Sequence, residues 1–415
     1  MEDPGPEPAV FTEPTGGITL RDALVAALTN SPELAAYSWE TRAKEAEALQ
    51  AGVRPNPELG AEVENFGGGG DFRGFHSAET TLALSQLIEL GGKRGKRLKV
   101  AEQELGLAAW DYEAARIDVL TETTKAFIDV LADQEQLALT EELVTVAEDV
   151  LASVSRRVKA GSTSPIQENR ARVELETSRI ERIQAQRALT ASKKQLAAYW
   201  GGTRPEFSEA MGDIENVPAP PPLETLWARI EQNPSLARWT LELDHRRAVL
   251  DLENSLRSLD LTVGAGVRYF NQVDNAAFVL ELGLPLPVFN RNQGATQAAE
   301  LRLGRAGEER RATSVRIQTM LAVSHEQLLA AQDEVQALRD RALPEAQTAF
   351  ESAQVAYLRG SMRFIDVLDV KRLLFGLRSR YFAALVRYHG TVADMERLTG
   401  ESLATAGENH GRQEP

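Results

Sequence analysis

The sequence predicts a mainly α-helical chain with four β-strands, in which one structural plan is used twice. Three observations carry that expectation. The second half echoes the first about 200 residues on: Asn30-Ser31-Pro32 against Gln232-Asn233-Pro234, Ala160-Gly161-Ser162 against Arg359-Gly360-Ser361, and Trp200-Gly201 against Thr399-Gly400. Each half holds two segments in which apolar and polar residues alternate, the period of a strand. Each half also holds a helical stretch far longer than an ordinary globular helix.

Residues 1–17 are read as a flexible N-terminus. Met1–Pro8 is acidic and Pro-rich, with neither the basic start nor the apolar stretch of a signal peptide. The first repeat covers 18–201 and opens with a helix over Leu20–Ala51. A hairpin follows at 57–90, where Leu59, Ala61 and Val63 alternate with Glu62 and Glu64, and Gly67–Gly70 forms a long connecting loop. Gly95 to Ala160 then runs without a proline. At about 1.5 Å per residue it would reach on the order of 100 Å as one helix. Leu98, Leu105, Tyr112 and Val119 recur at heptad spacing beside Ala101, Ala108 and Ala115, a seam that lets helices pack closely. A turn at Gly161 and a last helix end the repeat.

Residues 202–222 are a linker, Pro-rich over Val217–Pro222. The second repeat, 223–401, begins with a helix over Leu223–Leu256 and a hairpin over 258–288. Leu259, Leu261, Val263, Ala265, Val267 and Tyr269 share one strand face, and Asp260, Thr262, Gly264, Gly266 and Arg268 share the other. In the partner strand Phe278, Leu280, Leu282, Leu284 and Leu286 lie opposite Val279, Glu281 and Gly283, with Asn271–Asn275 as the connection. Leu321, Leu328, Val335, Ala342, Ala349 and Ala356 continue a heptad seam, which Pro344 is expected to break or kink; Thr145 holds the matching place in the first half. A turn at Gly360 and a final helix follow, and 402–415 are read as a flexible C-terminus.

Composition narrows the function. The 415 residues carry 46 Lys+Arg against 61 Asp+Glu, a net charge of −15, and no cysteine. Without Cys there is no disulfide framework, thiolate metal site, Cys nucleophile or lipid-bearing Cys. An acidic chain with scattered basic residues is a poor partner for nucleic acid. No apolar run has the roughly 20 residues of a membrane helix, but strands of about ten residues have the length of a tilted transmembrane β-strand. His76, His245, His325, His389 and His410 show no metal-ligand spacing. Nucleophile elbows, P-loops, dinucleotide fingerprints and zinc-protease motifs are all missing, so no catalytic residue, metal site or cofactor is expected and the chain reads as a non-enzyme.

The strands alone also fit two half-buried hairpins in a soluble domain, and the helices alone fit a soluble coiled-coil scaffold. Together they favour a membrane protein, since a scaffold has no use for four amphipathic strands. Four strands cannot close a membrane barrel, which needs about eight, and an open sheet leaves exposed edges. Oligomerisation follows. Three copies would supply twelve strands for a shared β-barrel on an α-helical barrel.

With the duplication, the strand pairs and the long antiparallel helices in view, residues 18–401 resemble the outer-membrane efflux proteins, the TolC-like outer membrane factors. Leu87-Ile88-Glu89-Leu90-Gly91-Gly92-Lys93-Arg94 and Leu284-Pro285-Leu286-Pro287-Val288-Phe289-Asn290-Arg291-Asn292-Gln293-Gly294 are similar to segments of the CzcC-like heavy-metal efflux branch. The resemblance implies a homotrimer in the outer membrane of a Gram-negative bacterium, with a long periplasmic extension. It also implies a periplasmic adaptor and an inner-membrane proton-driven pump of the RND type as partners, and divalent heavy-metal cations as cargo. Ducts of the same fold serve drug or solvent pumps and type I secretion, and those alternatives stay open.

Site expectations follow from both sources. The resemblance makes Tyr357, Asp366 and Asp369 periplasmic gate residues, the two aspartates at i, i+3 on one helix face and tripled into an acidic ring. The same aspartates also suit the positive end of a helix dipole without any gating role. Gly161 and Gly360 are the tip turns, and the first-half tip offers Gln167, Glu168 and Arg170 instead of the double Asp. Glu62, Glu64, Arg268 and Glu281 are expected to face a barrel lumen. Lys93, Arg94, Lys96, Arg97 and Lys99 form a dense basic cluster, read as a contact with outer-membrane lipid phosphates or as a solubilising helix start.

Overall fold

The computed structural model describes residues 13–230 and 233–400. The remaining termini, His410 among them, lie outside the described residues. The described residues divide into two compact units, one formed by Tyr37–Tyr112 with Ser235–Ser314 and the other by the remaining described residues.

In the first of these, most of helix α2 (Pro32–Ala51) leads into strands β2 (Glu58–Glu64) and β3 (Glu79–Ile88), and nearly all of α6 (Pro234–Ser255) leads into β5 (Leu261–Phe270) and β6 (Asn275–Gly283). The four strands form one antiparallel sheet in the order β2-β3-β5-β6. Its two edges, β2 and β6, come from different halves of the sequence. The unit also holds the opening turns of α3 (Lys93–Lys159) and α7 (Gln293–Ala337). Helices α3 and α6 approach closely at Gly106, where a Cβ would come within 2.7 Å of a Leu241 methyl. The Arg238 fork grips Asp111 at 2.6 and 3.2 Å on the same contact.

The second unit contains β1 (Thr15–Thr19), α1 (Leu20–Asn30), most of α3, α4 (Pro165–Ala198), β4 (Glu206–Met211) and α5 (Leu223–Trp227). It is completed by the rest of α7, α8 (Leu343–Leu358) and α9 (Phe364–Thr399). One core joins Ile18, Ala126, Val130, Leu196, Trp200, Phe207 and Leu385; a second joins Leu143, Val154, Ala171, Phe350, Tyr357, Phe364 and Phe375.

Four features depart from the sequence expectations. Residues 15–17 belong to β1, which pairs in parallel with β4, so part of the expected loose N-terminus and part of the expected linker are ordered together. The opening helix of each half is in two pieces: α1 stops at Asn30 and α2 begins at Pro32, while α5 stops at Trp227 and α6 begins at Pro234. Proline lacks the N–H that a helix interior requires but is tolerated in a first turn. Strand β6 ends at Gly283, which leaves Leu284 and Leu286 beyond the ladder.

The fourth departure is at Pro344. Helix α7 does not break there; it passes through a π-helical turn at Leu338–Ala342 and continues as α8. A π-turn absorbs one extra residue. Leu321, Leu328 and Val335 are fully buried as the heptad predicts, but Ala349 is exposed and the seam resumes at Leu343, Phe350 and Tyr357. Each of these lies one position past the extrapolated heptad. In the first half, Thr145 sits inside an unbroken helix and donates its hydroxyl to the Glu141 carbonyl.

Candidate functional site: a two-faced sheet, a joint and two helical turns

Register decides what the sheet presents. Leu59, Ala61 and Val63 of β2 stand beside Leu84, Leu82 and Thr80 of β3, these beside Ala265, Val267 and Tyr269 of β5, and these beside Leu280, Phe278 and Ala276 of β6. This face is apolar and open to its surroundings: Phe278 is 92% exposed and Leu280 83%. The opposite face carries Glu58, Glu62, Glu64, Glu79, Arg268 and Glu281, which are all the charged residues of the four strands. Glu62, Glu64, Arg268 and Glu281 are therefore brought onto one face. Glu58 and Glu79 join them, and strand parity applied to β2 and β3 would have found both.

On that polar face Gly60, Ala83, Gly266 and Val279 form one row across the sheet. A Cβ on Gly266 would lie 2.5 Å from the Leu82 carbonyl oxygen and 2.7 Å from the Ala83 Cβ. Strands β3 and β5 thus close on each other on the polar side, as on the inside of a curved sheet. Arg268 is central. Its Nε donates to Thr81 at 2.8 Å, and its two terminal nitrogens reach Glu79 and Glu64, each at 3.1 Å. Asn65 donates to the other Glu79 oxygen at 3.1 Å.

The segment Leu87–Arg94 forms a joint between the two halves. Gly91 and Gly92 both take left-handed backbone, and a Cβ on Gly91 would meet the Ser258 hydroxyl at 2.5 Å. The Leu90 amide donates to Asp260 at 3.1 Å. Lys93 is buried; its ammonium donates to the Ser258 carbonyl at 2.9 Å and pairs with Asp260 at 2.7 Å. Arg97 pairs with Glu89. The basic cluster therefore divides: Lys93 and Arg97 are consumed by carboxylates of their own chain, which corrects their reading as lipid contacts, and Arg94, Lys96 and Lys99 make no ion pair among the described residues. In the second half Asn292 does a similar job, donating to the Glu253 carbonyl at 2.8 Å from left-handed backbone.

The two turns at the far ends of the long helices match bond for bond. Gly161 (φ 69°) and Gly360 (φ 79°) adopt the left-handed conformation that ends a helix. Ser162 donates its amide to Arg157 O at 2.9 Å and Ser361 its amide to Ala356 O at 3.0 Å; both serine hydroxyls bond those same carbonyls at 3.0 Å. Beyond the turns the halves differ. Ser164 caps α4 with its hydroxyl, and Glu168 ties back to Ser155 of α3 at 2.9 Å. Helix α9 has Arg363 in the cap position instead, and its guanidinium clasps Asp366 with two bonds of 2.8 and 3.0 Å. That clasp holds the Asp366 carboxyl below the usual carboxylate range. Asp369, one turn on, is exposed and makes no ion pair among the described residues. Tyr357 does not join the aspartates at the surface. Its ring is buried in the seam, 5.9 Å from Phe364 and beneath the Arg157 guanidinium, because the π-turn rotates it inward.

Sequence reading missed one group. Lys371 is 1% exposed beside a cavity of about 530 Å³ lined by α3, α4 and α9. Its ammonium is 3.9 Å from Glu174, which Arg372 grips at 2.8 Å. Burial pushes the Lys371 amine below the usual lysine value. The signal was present, since Phe364, Val367, Leu368, Lys371, Leu374 and Phe375 follow the apolar stripe of a helix and put a lysine on its buried face.

These features have counterparts in known proteins. The family described as outer membrane efflux protein matches residues 23–202 and 228–401. The cobalt-zinc-cadmium resistance protein CzcC of Cupriavidus metallidurans is 33% identical over 394 residues, covering 95% of this chain and 92% of that one. The nickel and cobalt resistance protein CnrC of the same species is 25% identical, covering 71% and 69%. Among solved structures, CusC superposes with a TM-score of 0.77 at 16% identity over 95% and 96% of the two chains. A membrane protein from Pseudomonas aeruginosa gives 0.79 at 19% identity over 92% of each. A doubled helical plan, one sheet with an apolar and a charged face, and this extent of similarity together place the chain in the outer membrane efflux protein family, as a protein of the outer membrane.

Proposed function

We propose that this protein is the outer-membrane channel of a tripartite efflux system, conducting divalent heavy-metal cations from an inner-membrane RND pump and a periplasmic adaptor to the exterior. The observation that carries the reading is the segregation of every charge of the four-stranded sheet to one face, with highly exposed apolar side chains such as Phe278 and Leu280 on the other. Such a sheet suits lipid on one side and water on the other. Three copies close it: twelve strands make the barrel, the charged face lines the pore, and the long helices form a periplasmic tube. A soluble scaffold gains nothing from the apolar face.

The channel works passively. Glu62, Glu64 and Glu281 attract cations to the pore, and Asp369, with Asp366, places carboxylates at the helical turns that close the tube. Docking of pump and adaptor shifts the tip from closed to open, and the energy is the pump's. Metal cargo is supported by the 33% identity to a cobalt-zinc-cadmium resistance protein. The test is deletion of the gene and growth on graded cobalt, zinc, cadmium and nickel. Loss of tolerance restored by the intact gene is expected. Unchanged metal tolerance with new sensitivity to drugs or siderophores would instead favour a duct for organic cargo, to which the 26% identity with the pyoverdine export protein OpmQ of Pseudomonas putida gives some support.

A further inference from the structure

We infer that Arg268 sets the charge selectivity of the barrel by halving the charge of the Glu64–Glu79 pair, which leaves that cluster one net negative charge beside the fully uncompensated Glu58, Glu62 and Glu281 that favour cations. The inference rests on the polar face being the pore lining. Glu64 and Glu79 are direct cross-strand partners, a placement in which like charges repel. Arg268 comes from β5, in the other half of the sequence, and its fork reaches both carboxylates at 3.1 Å while Nε is held by Thr81. It is the one cationic side chain of the four strands, against five carboxylates. Glu58, Glu62 and Glu281 are exposed and make no ion pair among the described residues. The guanidinium thus does two things at once. It makes an acidic cross-strand pair tolerable, and it trims the field that a permeating ion meets on this face.

The absence of cysteine makes the test direct, because any single Cys introduced is the only thiol. The full-length protein is reconstituted in planar bilayers, and its reversal potential is read in a potassium chloride gradient. Arg268→Gln should raise the cation-to-anion permeability ratio by roughly twofold or more, with the larger change at low salt, where charges are less screened. Glu64→Gln combined with Glu79→Gln leaves Arg268 uncompensated and should shift the ratio the other way. That double variant also keeps the test alive if Arg268→Gln fails to insert. Arg268→Lys keeps the charge and should keep the ratio. In parallel, Ser85→Cys, on the polar face, is treated with a charged methanethiosulfonate, with Leu280→Cys on the apolar face as control. If Ser85→Cys conductance does not respond, the polar face is not the pore lining, and the pore reading and the inference fall together. If it responds while neither the Arg268 nor the glutamate variants move the reversal potential, the inference alone is overturned.

Discussion

Single side chains divide here into charges that are spent and charges that are free. Asp366 is spent on Arg363, whereas Asp369 is not. Asp369→Ala alone should therefore give most of the change in single-channel conductance and cation block that the double Asp366→Ala, Asp369→Ala variant gives; equal effects of the two single variants would count against this division. Lys371 is a buried cation with a partner at the limit of ion-pair distance. Its amine titrates below the usual lysine value of 10.5 because burial penalises the ammonium. Between the folded value and 10.5 the unfolded chain holds a proton that the folded chain lacks, so stability falls as pH descends through that window and is flat below it. Lys371→Met should remove this slope and stabilise the protein at pH 7 by about 1–2 kcal/mol, read by thermal unfolding in detergent. Glu174→Gln should do the reverse, since it leaves Lys371 and Arg372 without their carboxylate.

At the scale of elements the main controls are one glycine and one π-turn. Gly266 has no room for a side chain, so Gly266→Val should stop β3 and β5 closing and abolish the folded, heat-modifiable form on gels while expression persists. The π-turn carries the seam one position forward. Deleting Arg341 should swing Leu343, Phe350 and Tyr357 about 100° round the helix and off their partners. Faster limited proteolysis near the Gly360 turn would report it. Much of this level was legible in advance. Both hairpins, the outer limits of α3 and both terminal turns follow from period and glycine placement. The one-residue shift was not legible, because Pro344 announces that a helix must adjust without saying how. Neither was the joint: Gly91, Gly92 and Lys93 are close in sequence, but their partners Ser258 and Asp260 lie far along the chain. A run of basic residues looks like a surface patch until the carboxylates that face it are known.

For the whole molecule, the proposed trimer would have three times the 45.5 kDa chain mass once detergent is subtracted, and light scattering measures this directly. A lysine at the middle of the apolar face, as in Leu280→Lys, should cost about 2–4 kcal/mol if that face meets lipid. The variant should be depleted from the outer-membrane fraction, whereas Thr262→Lys on the polar face should insert normally.

The two-faced sheet also bears on how such a chain reaches its destination. In the linear chain Phe278, Leu280 and Leu282 alternate with Val279, Glu281 and Gly283, and this strand is too short to be mistaken for a membrane-spanning helix. The apolar surface comes into being only when four strands from distant parts of the sequence pair and all their alternate side chains turn the same way. A translocation channel handling the unpaired strands meets only short apolar runs separated by polar residues, and a carrier meets the same. If the apolar face meets lipid as proposed, the lipid-seeking surface is a product of folding, so the chain can cross one membrane as an unfolded thread and enter the next as a sheet.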